Sequence, residues 1–89
     1  MTFARTGRAT CIGAANIDRK LASTGPLRMG TSNPARQYES FGGVARNIAE
    51  NLARLGAQVS LVTAVGRDAA GQSILAHAGS CGIDVGKAI

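Results

Sequence analysis

Two groups of residues in this chain have the types and spacing to do chemistry: Asn16 with Asp18, and Gly42-Gly43 with Asn47. The glycine pair stands directly before a strongly patterned helix, and Asn47 falls in that helix's first turn. Lacking a Cβ, two successive glycines let a ligand come close to the backbone. The first amides of a helix have no intrahelical partner and face whatever lies beyond the end. An asparagine there adds both a donor and an acceptor. The combination suits a polar, hydroxyl-rich ligand; a tight turn with a solvated asparagine is the other reading of the same residues. Asn16 and Asp18 follow an apolar run at 9–15, and the carboxyl ends of strands are where open α/β sheets bind ligands.

The elements that must position these groups follow from periodicity. Val44, Ile48, Leu52 and Leu55 recur at helical spacing and predict one apolar face on a helix over 44–55. Arg46, Glu50 and Arg54, four apart and alternating in sign, predict a solvated opposite face. Gly56 then caps its C-terminus. The run at 9–15 reads as a strand, with a second strand over 17–22 leading away from the sheet. Gly25-Pro26, Gly30 and Asn33-Pro34 mark a loop, and 36–41 returns as a strand. Residues 58–65 form another strand, expected to expose an edge or a face. Asp68 N-caps a helix over 69–80 whose inward face is Ile74, Leu75 and Ala78. Ile83-Asp84-Val85 begins a further strand. The order predicts a parallel α/β sheet with right-handed crossovers, and an unfinished one, because two helices cannot cover both faces of such a sheet.

Composition narrows the function classes. The chain has 89 residues and a net charge of +5, and the excess gathers near the N-terminus, where Arg5, Arg8, Arg19 and Lys20 face Asp18 alone. There is no dense basic run, and Phe3, Tyr38 and Phe41 are the only aromatics for base stacking, so nucleic acid is not an expected partner. No apolar stretch approaches the roughly 18 residues of a membrane span and no secretory leader is evident, which predicts a cytoplasmic protein without a membrane partner. Cys11 and Cys81 make neither a zinc motif nor a disulfide framework and read as reduced, largely buried small residues. His77 reads as a surface histidine.

Three motifs in order resemble one family. Gly13-Ala14-Ala15-Asn16-Ile17-Asp18 is similar to the opening strand of the PfkB, or ribokinase-like, carbohydrate and nucleoside kinases. Gly42-Gly43-Val44-Ala45-Arg46-Asn47, its helix and Gly56 resemble that family's N-terminal motif, and Val65-Gly66-Arg67-Asp68-Ala69-Ala70-Gly71 its following turn. The likeness spans most of residues 10–86. Within the family it leans to pseudouridine kinases, through Ser32-Asn33-Pro34, the Arg46-Asn47-Ile48-Ala49 run and Gly71-Gln72-Ser73. Two positions depart from the pattern: Ala45 where glycine is expected, and Phe41 where proline is common.

The resemblance implies an N-terminal segment, residues 1–89, of a kinase transferring phosphate from ATP to a primary hydroxyl of a nucleoside or sugar. Pseudouridine is the expected acceptor, with ribose or fructose as alternatives. It implies that Asn16 and Asp18 bind sugar hydroxyls, that Gly42 and Gly43 offer backbone contact, and that Asn47 adds a side-chain bond. Residues 17–41 would form a small β lid that covers the substrate and can serve as a homodimer contact. Arg46 reads as a surface or lid-facing charge and Asp68 as a structural cap. The family's catalytic base and phosphate cradle lie in a later Gly-x-Gly-Asp segment, so the base is expected beyond Ile89. No catalytic residue, and no ATP or magnesium ligand, is expected within these residues. A non-catalytic product that binds a nucleoside or dimerises through its lid is the competing reading.

Overall fold

The computed structural model describes residues 7–89, and the basic start that includes Arg5 lies outside the described residues. Five strands and two helices form: β1 (Arg8–Ile12), β2 (Asn16–Ser23), β3 (Ala35–Gly42), α1 (Val44–Arg54), β4 (Gln58–Val62), α2 (Ala69–Ser80) and β5 (Ile83–Asp84). They divide into a parallel sheet ordered β1-β4-β5 and an antiparallel pair, β2-β3. The radius of gyration, 17.1 Å, exceeds the roughly 12 Å of a compact chain of this length, because the β2-β3 ribbon projects from the sheet. The ribbon spans the residues expected to form the lid. Its tip is closed by Asn33, whose Oδ1 accepts from the Arg28 amide at 2.8 Å while its Nδ2 donates to the Arg28 and Thr31 carbonyls.

Two expectations about the sheet are corrected. The first strand stops at Ile12 instead of continuing to 15, and Gly13–Ala15 link it to the ribbon. The strand at 58–65 ends at Val62 and is the central strand of the sheet, so of the two expected exposures it shows a face and not an edge. Its Val59 and Leu61 are buried with Ala45, Ala49, Ala78 and Ile83. Both helices lie on that one face. Each crossover steps the chain one strand further in the same direction, so equal handedness places both on the same side. The opposite face, with Arg8, Thr10, Gln58 and Ser60, is left uncovered and is concave.

Ile89 continues the sheet's hydrogen bonding past β4. Its amide donates to the Thr63 carbonyl at 2.9 Å, and its carbonyl accepts from the Val65 amide at 3.0 Å. Its side chain is exposed.

The larger correction concerns α1. Its buried residues are Ala45, Arg46 and Ala49, and of the expected apolar face only Leu52 packs against the core, whereas Val44, Ile48 and Leu55 are exposed at 74%, 49% and 80%. The packed arc is thus turned by about one residue, roughly 100°, from the large apolar stripe. Alanines let the helix approach the sheet closely. The expected solvated face is divided as well: Arg46 is buried, Glu50 half-buried and only Arg54 exposed. Helix α2 keeps its expected bounds, with Ile74 and Ala78 buried and Leu75 half-buried. Among the described residues no helix is long and apolar enough to cross a membrane.

Candidate functional site

The candidate site begins where the β2-β3 ribbon leaves the sheet. Asn16 pairs with Gly42 and Asp18 with Ser40 across the ribbon. Paired residues and every second neighbour share a face, so Asn16, Asp18, Ser40 and Gly42 lie on one side, with Lys20 and Tyr38 further out on the same side. Asn16 Nδ2 donates to Asp18 Oδ1 at 2.7 Å, which leaves Asn16 Oδ1 and Asp18 Oδ2 as acceptors. A Cβ at position 42 would overlap Asp18 Oδ2 and come within 3.2 Å of its Cγ. Glycine is therefore what lets the carboxylate lie over the strand end.

Gly43 serves the backbone. It sits at φ 98°, ψ 136° as the residue before α1. A side chain there would meet the Ala14 carbonyl carbon at 2.7 Å and Ala15 Cα at 2.8 Å. The β1–β2 link thus rests directly on the helix N-terminus. One helix amide is consumed in this contact: the Arg46 N–H donates to the Ala14 carbonyl at 3.3 Å. The helix end is accordingly less open to a ligand than the glycine pair suggests. Asn47 is exposed in the first turn, and its Oδ1 accepts from Arg46 Nη1 at 3.0 Å.

Of the five expected ligand residues, Asn16, Asp18 and Gly42 are in mutual contact, Gly43 joins them to α1, and Asn47 stands on that helix. Asn16 also lines a cavity of about 330 Å³ with Ala64, Gly66, Asp68 and Ile74. Asp68 is occupied structurally, as its cap position requires: its Oδ1 accepts from the Gly71 amide at 2.8 Å. The base expected beyond Ile89 lies outside the described residues, and Ile89 itself brings to the fold only its backbone bonds to Thr63 and Val65.

Sequence reasoning missed the charged cluster behind Asn47. Arg46, read as a surface or lid-facing charge, is 4% exposed. Its Nη2 donates to Glu50 Oε1 at 2.9 Å and approaches His77 Nδ1 at 3.5 Å. His77, read as a surface residue, is half-buried and stacks on Phe41, with ring centroids 4.2 Å apart. Phe41 thus fills the departure from the expected proline by packing against α2. Cys81 is half-buried, and its thiol donates to Glu50 Oε1 at 3.3 Å. The i, i+4 spacing of Arg46–Glu50 and of His77–Cys81 was the available signal. Glu50, His77 and Cys81 offer ligand atoms within 4.8 Å of one another, yet the Arg46 guanidinium supplies the positive charge between them.

The cluster has a pH signature. The bond from the Cys81 thiol, aided by the charges of Arg46, Arg54 and His77, holds the Glu50 carboxyl below the ordinary glutamate range and outweighs burial, which acts to raise it. Burial, then the bond to Glu50, pushes the Cys81 thiol up. A depressed carboxyl stabilises the fold above its ordinary pKa, about 4.3, and that stabilisation is lost as the pH falls through the folded value. The raised thiol acts in the opposite sense, losing its contribution as the pH rises through its folded value. Glu50→Gln should therefore flatten the acid limb of a stability–pH curve, measured as denaturant midpoints between pH 3 and 7. An unchanged slope would contradict the pairing.

Comparison with known proteins identifies the family of this fold. The profile of the pfkB family carbohydrate kinases matches residues 7–89. The pseudouridine kinase of Escherichia coli is 45% identical over 78 residues, which cover 88% of this chain and 25% of that protein. A putative sugar kinase from Clostridium perfringens superposes with a TM-score of 0.85 at 33% identity, over 96% of this chain and 27% of that one. A ribokinase from Cryptococcus neoformans, solved in complex with ADP, does so with a TM-score of 0.74 at 28% identity, over 94% and 27%. The chain thus spans about a quarter of the length of these relatives. With the family's profile matched along the described chain and its fold reproduced, this chain belongs to the pfkB family of carbohydrate kinases.

Proposed function

We propose that this chain is the substrate-binding N-terminal part of an ATP-dependent kinase that phosphorylates the 5′-hydroxyl of pseudouridine. The observation that carries the reading is the Asn16–Asp18 pair lying over a glycine strand end, with two acceptors left open. A carboxylate can accept two hydroxyl protons at once in charge-assisted bonds, which fits a ribosyl diol. The 45% identity to a pseudouridine kinase supports the choice of acceptor. Asn47 contributes a further bond from α1, and the ribbon closes over the bound molecule. Closure excludes water, which competes as phosphoryl acceptor. Exposed Leu21, on the ribbon face opposite Asn16 and Asp18, supports a second role for the ribbon as a contact between two copies. Val44, Ile48 and Leu55 offer the surface on which the remainder of such a kinase would pack.

Among the described residues no three carboxylates converge as a magnesium site. Asp18 is bonded to Asn16, Asp68 caps α2, and Asp84 accepts from the Gly86 amide at 2.9 Å. Asp68 takes the Gly71 amide and Ala14 takes that of Arg46, so one amide at each helix N-terminus is already engaged within the fold. Phosphoryl transfer depends on positioning and on electrostatic stabilisation of the transferring group. The 89-residue segment alone should therefore yield no nucleoside phosphate above background when incubated with ATP, magnesium and pseudouridine. A full-length kinase carrying this segment, with its base supplied from outside it, should phosphorylate pseudouridine in preference to ribose, fructose and adenosine. Product from the segment would overturn the assignment of roles, and a preference for ribose or fructose would overturn the acceptor.

A further inference from the structure

We propose that Arg46 is a positioning residue that fixes the side-chain amide of Asn47 so that only its N–H donors face the substrate. The inference rests on the ligand role proposed for Asn47.

A guanidinium has donors and no acceptor. Its bond from Nη1 to Asn47 at 3.0 Å therefore requires the carbonyl end of the amide to point at Arg46. The Nδ2 end is left for the ligand. Across the site the polarity is reversed, since Asn16 Nδ2 is spent on Asp18 and acceptors remain. The substrate must then offer an acceptor, a hydroxyl or carbonyl oxygen, toward α1, and hydroxyl donors toward β2.

Stability by itself does not require an arginine at this buried position. The side chain is 5% exposed and its Nε finds no acceptor among the described residues. Buried ion pairs replaced by apolar groups of similar volume are often neutral or stabilising. What an apolar residue could not supply is the pair of directed bonds from one rigid fork, to Asn47 and to Glu50 at 2.9 Å. Glu50 is in turn held by the Cys81 thiol at 3.3 Å, and Arg46 Nη2 lies 3.5 Å from His77, which stacks on Phe41. Phe41 directly precedes Gly42. The same cluster therefore braces both the asparagine and the end of the lid strand.

The test is a double-mutant cycle in the full-length kinase with Arg46→Lys and Asn47→Ala, read as KM for pseudouridine, KM for ATP and kcat. Lysine keeps a charge for Glu50 but loses the planar fork. Arg46→Lys is expected to raise KM for pseudouridine about tenfold, the worth of one charge-assisted hydrogen bond, with KM for ATP unchanged. In the Asn47→Ala background the same substitution should change neither KM further. An unaltered KM for pseudouridine, or effects that add fully, would overturn the proposal. If Arg46→Lys does not fold, Arg46→Met with Glu50→Gln removes both charges together and enters the same cycle. If the wild-type protein phosphorylates no nucleoside or sugar, the functional reading fails separately. The Asn47 side-chain amide resonance then decides the inference without substrate: it should move in Arg46→Lys, and an unmoved resonance would refute the lock.

Discussion

Gly43→Ala is expected to cost roughly 2–6 kcal/mol of stability, from strain of order 1–3 kcal/mol at a positive φ and overpacking of about 1–3 kcal/mol. The backbone sits at φ 98°, where L side chains are strained. The atoms a methyl group would meet are the carbonyl of Ala14 and the Cα of Ala15, backbone that cannot rotate away as a flexible side chain could. Relief requires the β1–β2 link to lift off the start of α1, which breaks the Arg46-to-Ala14 bond and shifts Asn16 relative to Gly42. Against a typical total of about 5–15 kcal/mol, such a loss is expected to lower the melting temperature sharply or to abolish soluble protein. Thermal and denaturant melts of the full-length kinase measure it. A midpoint equal to that of the parent would show that the two segments are not in contact as described.

Asp18→Ala should instead leave the fold intact and weaken nucleoside binding. Asp18 is exposed, and its described bond is the local one to Asn16, so its removal should move stability by no more than about 0.5 kcal/mol. Binding loses a charged acceptor for hydroxyls, about 1.5–3 kcal/mol, which is a weakening of about 10- to 150-fold. The truncation also frees the Asn16 amide to rotate. Titration of the full-length protein with pseudouridine, without ATP, isolates this effect from chemistry. Unchanged affinity with an unchanged melt would remove Asp18 from the site. Lost affinity together with a collapsed melt would assign the residue to the fold.

Much of the architecture was legible because the signals are local. Asp68 as a cap, the bounds of α2 at Ala69–Ser80 and a glycine directly after each helix C-cap depend on residues within a turn of one another. The ribbon was legible for the same reason, from two extended runs separated by Gly, Pro and Asn. The motif residues Asn16, Asp18 and Gly42 came together because strand pairing and period-2 alternation place Asn16 opposite Gly42.

What the tertiary structure decided is the rotation of α1 and everything that follows from it. Periodicity states which residues share a helix face, not which face meets the sheet. Here an arc of small residues, Ala45 and Ala49, permits closer approach than Val44, Ile48 and Leu55. Turning that arc inward carries Arg46 into the interior beside it. Partners 31 residues away, His77 to Arg46 and Cys81 to Glu50, then satisfy what solvent would otherwise have satisfied. No local pattern encodes those meetings, because they exist only once β4 has placed both helices on the same side of the sheet.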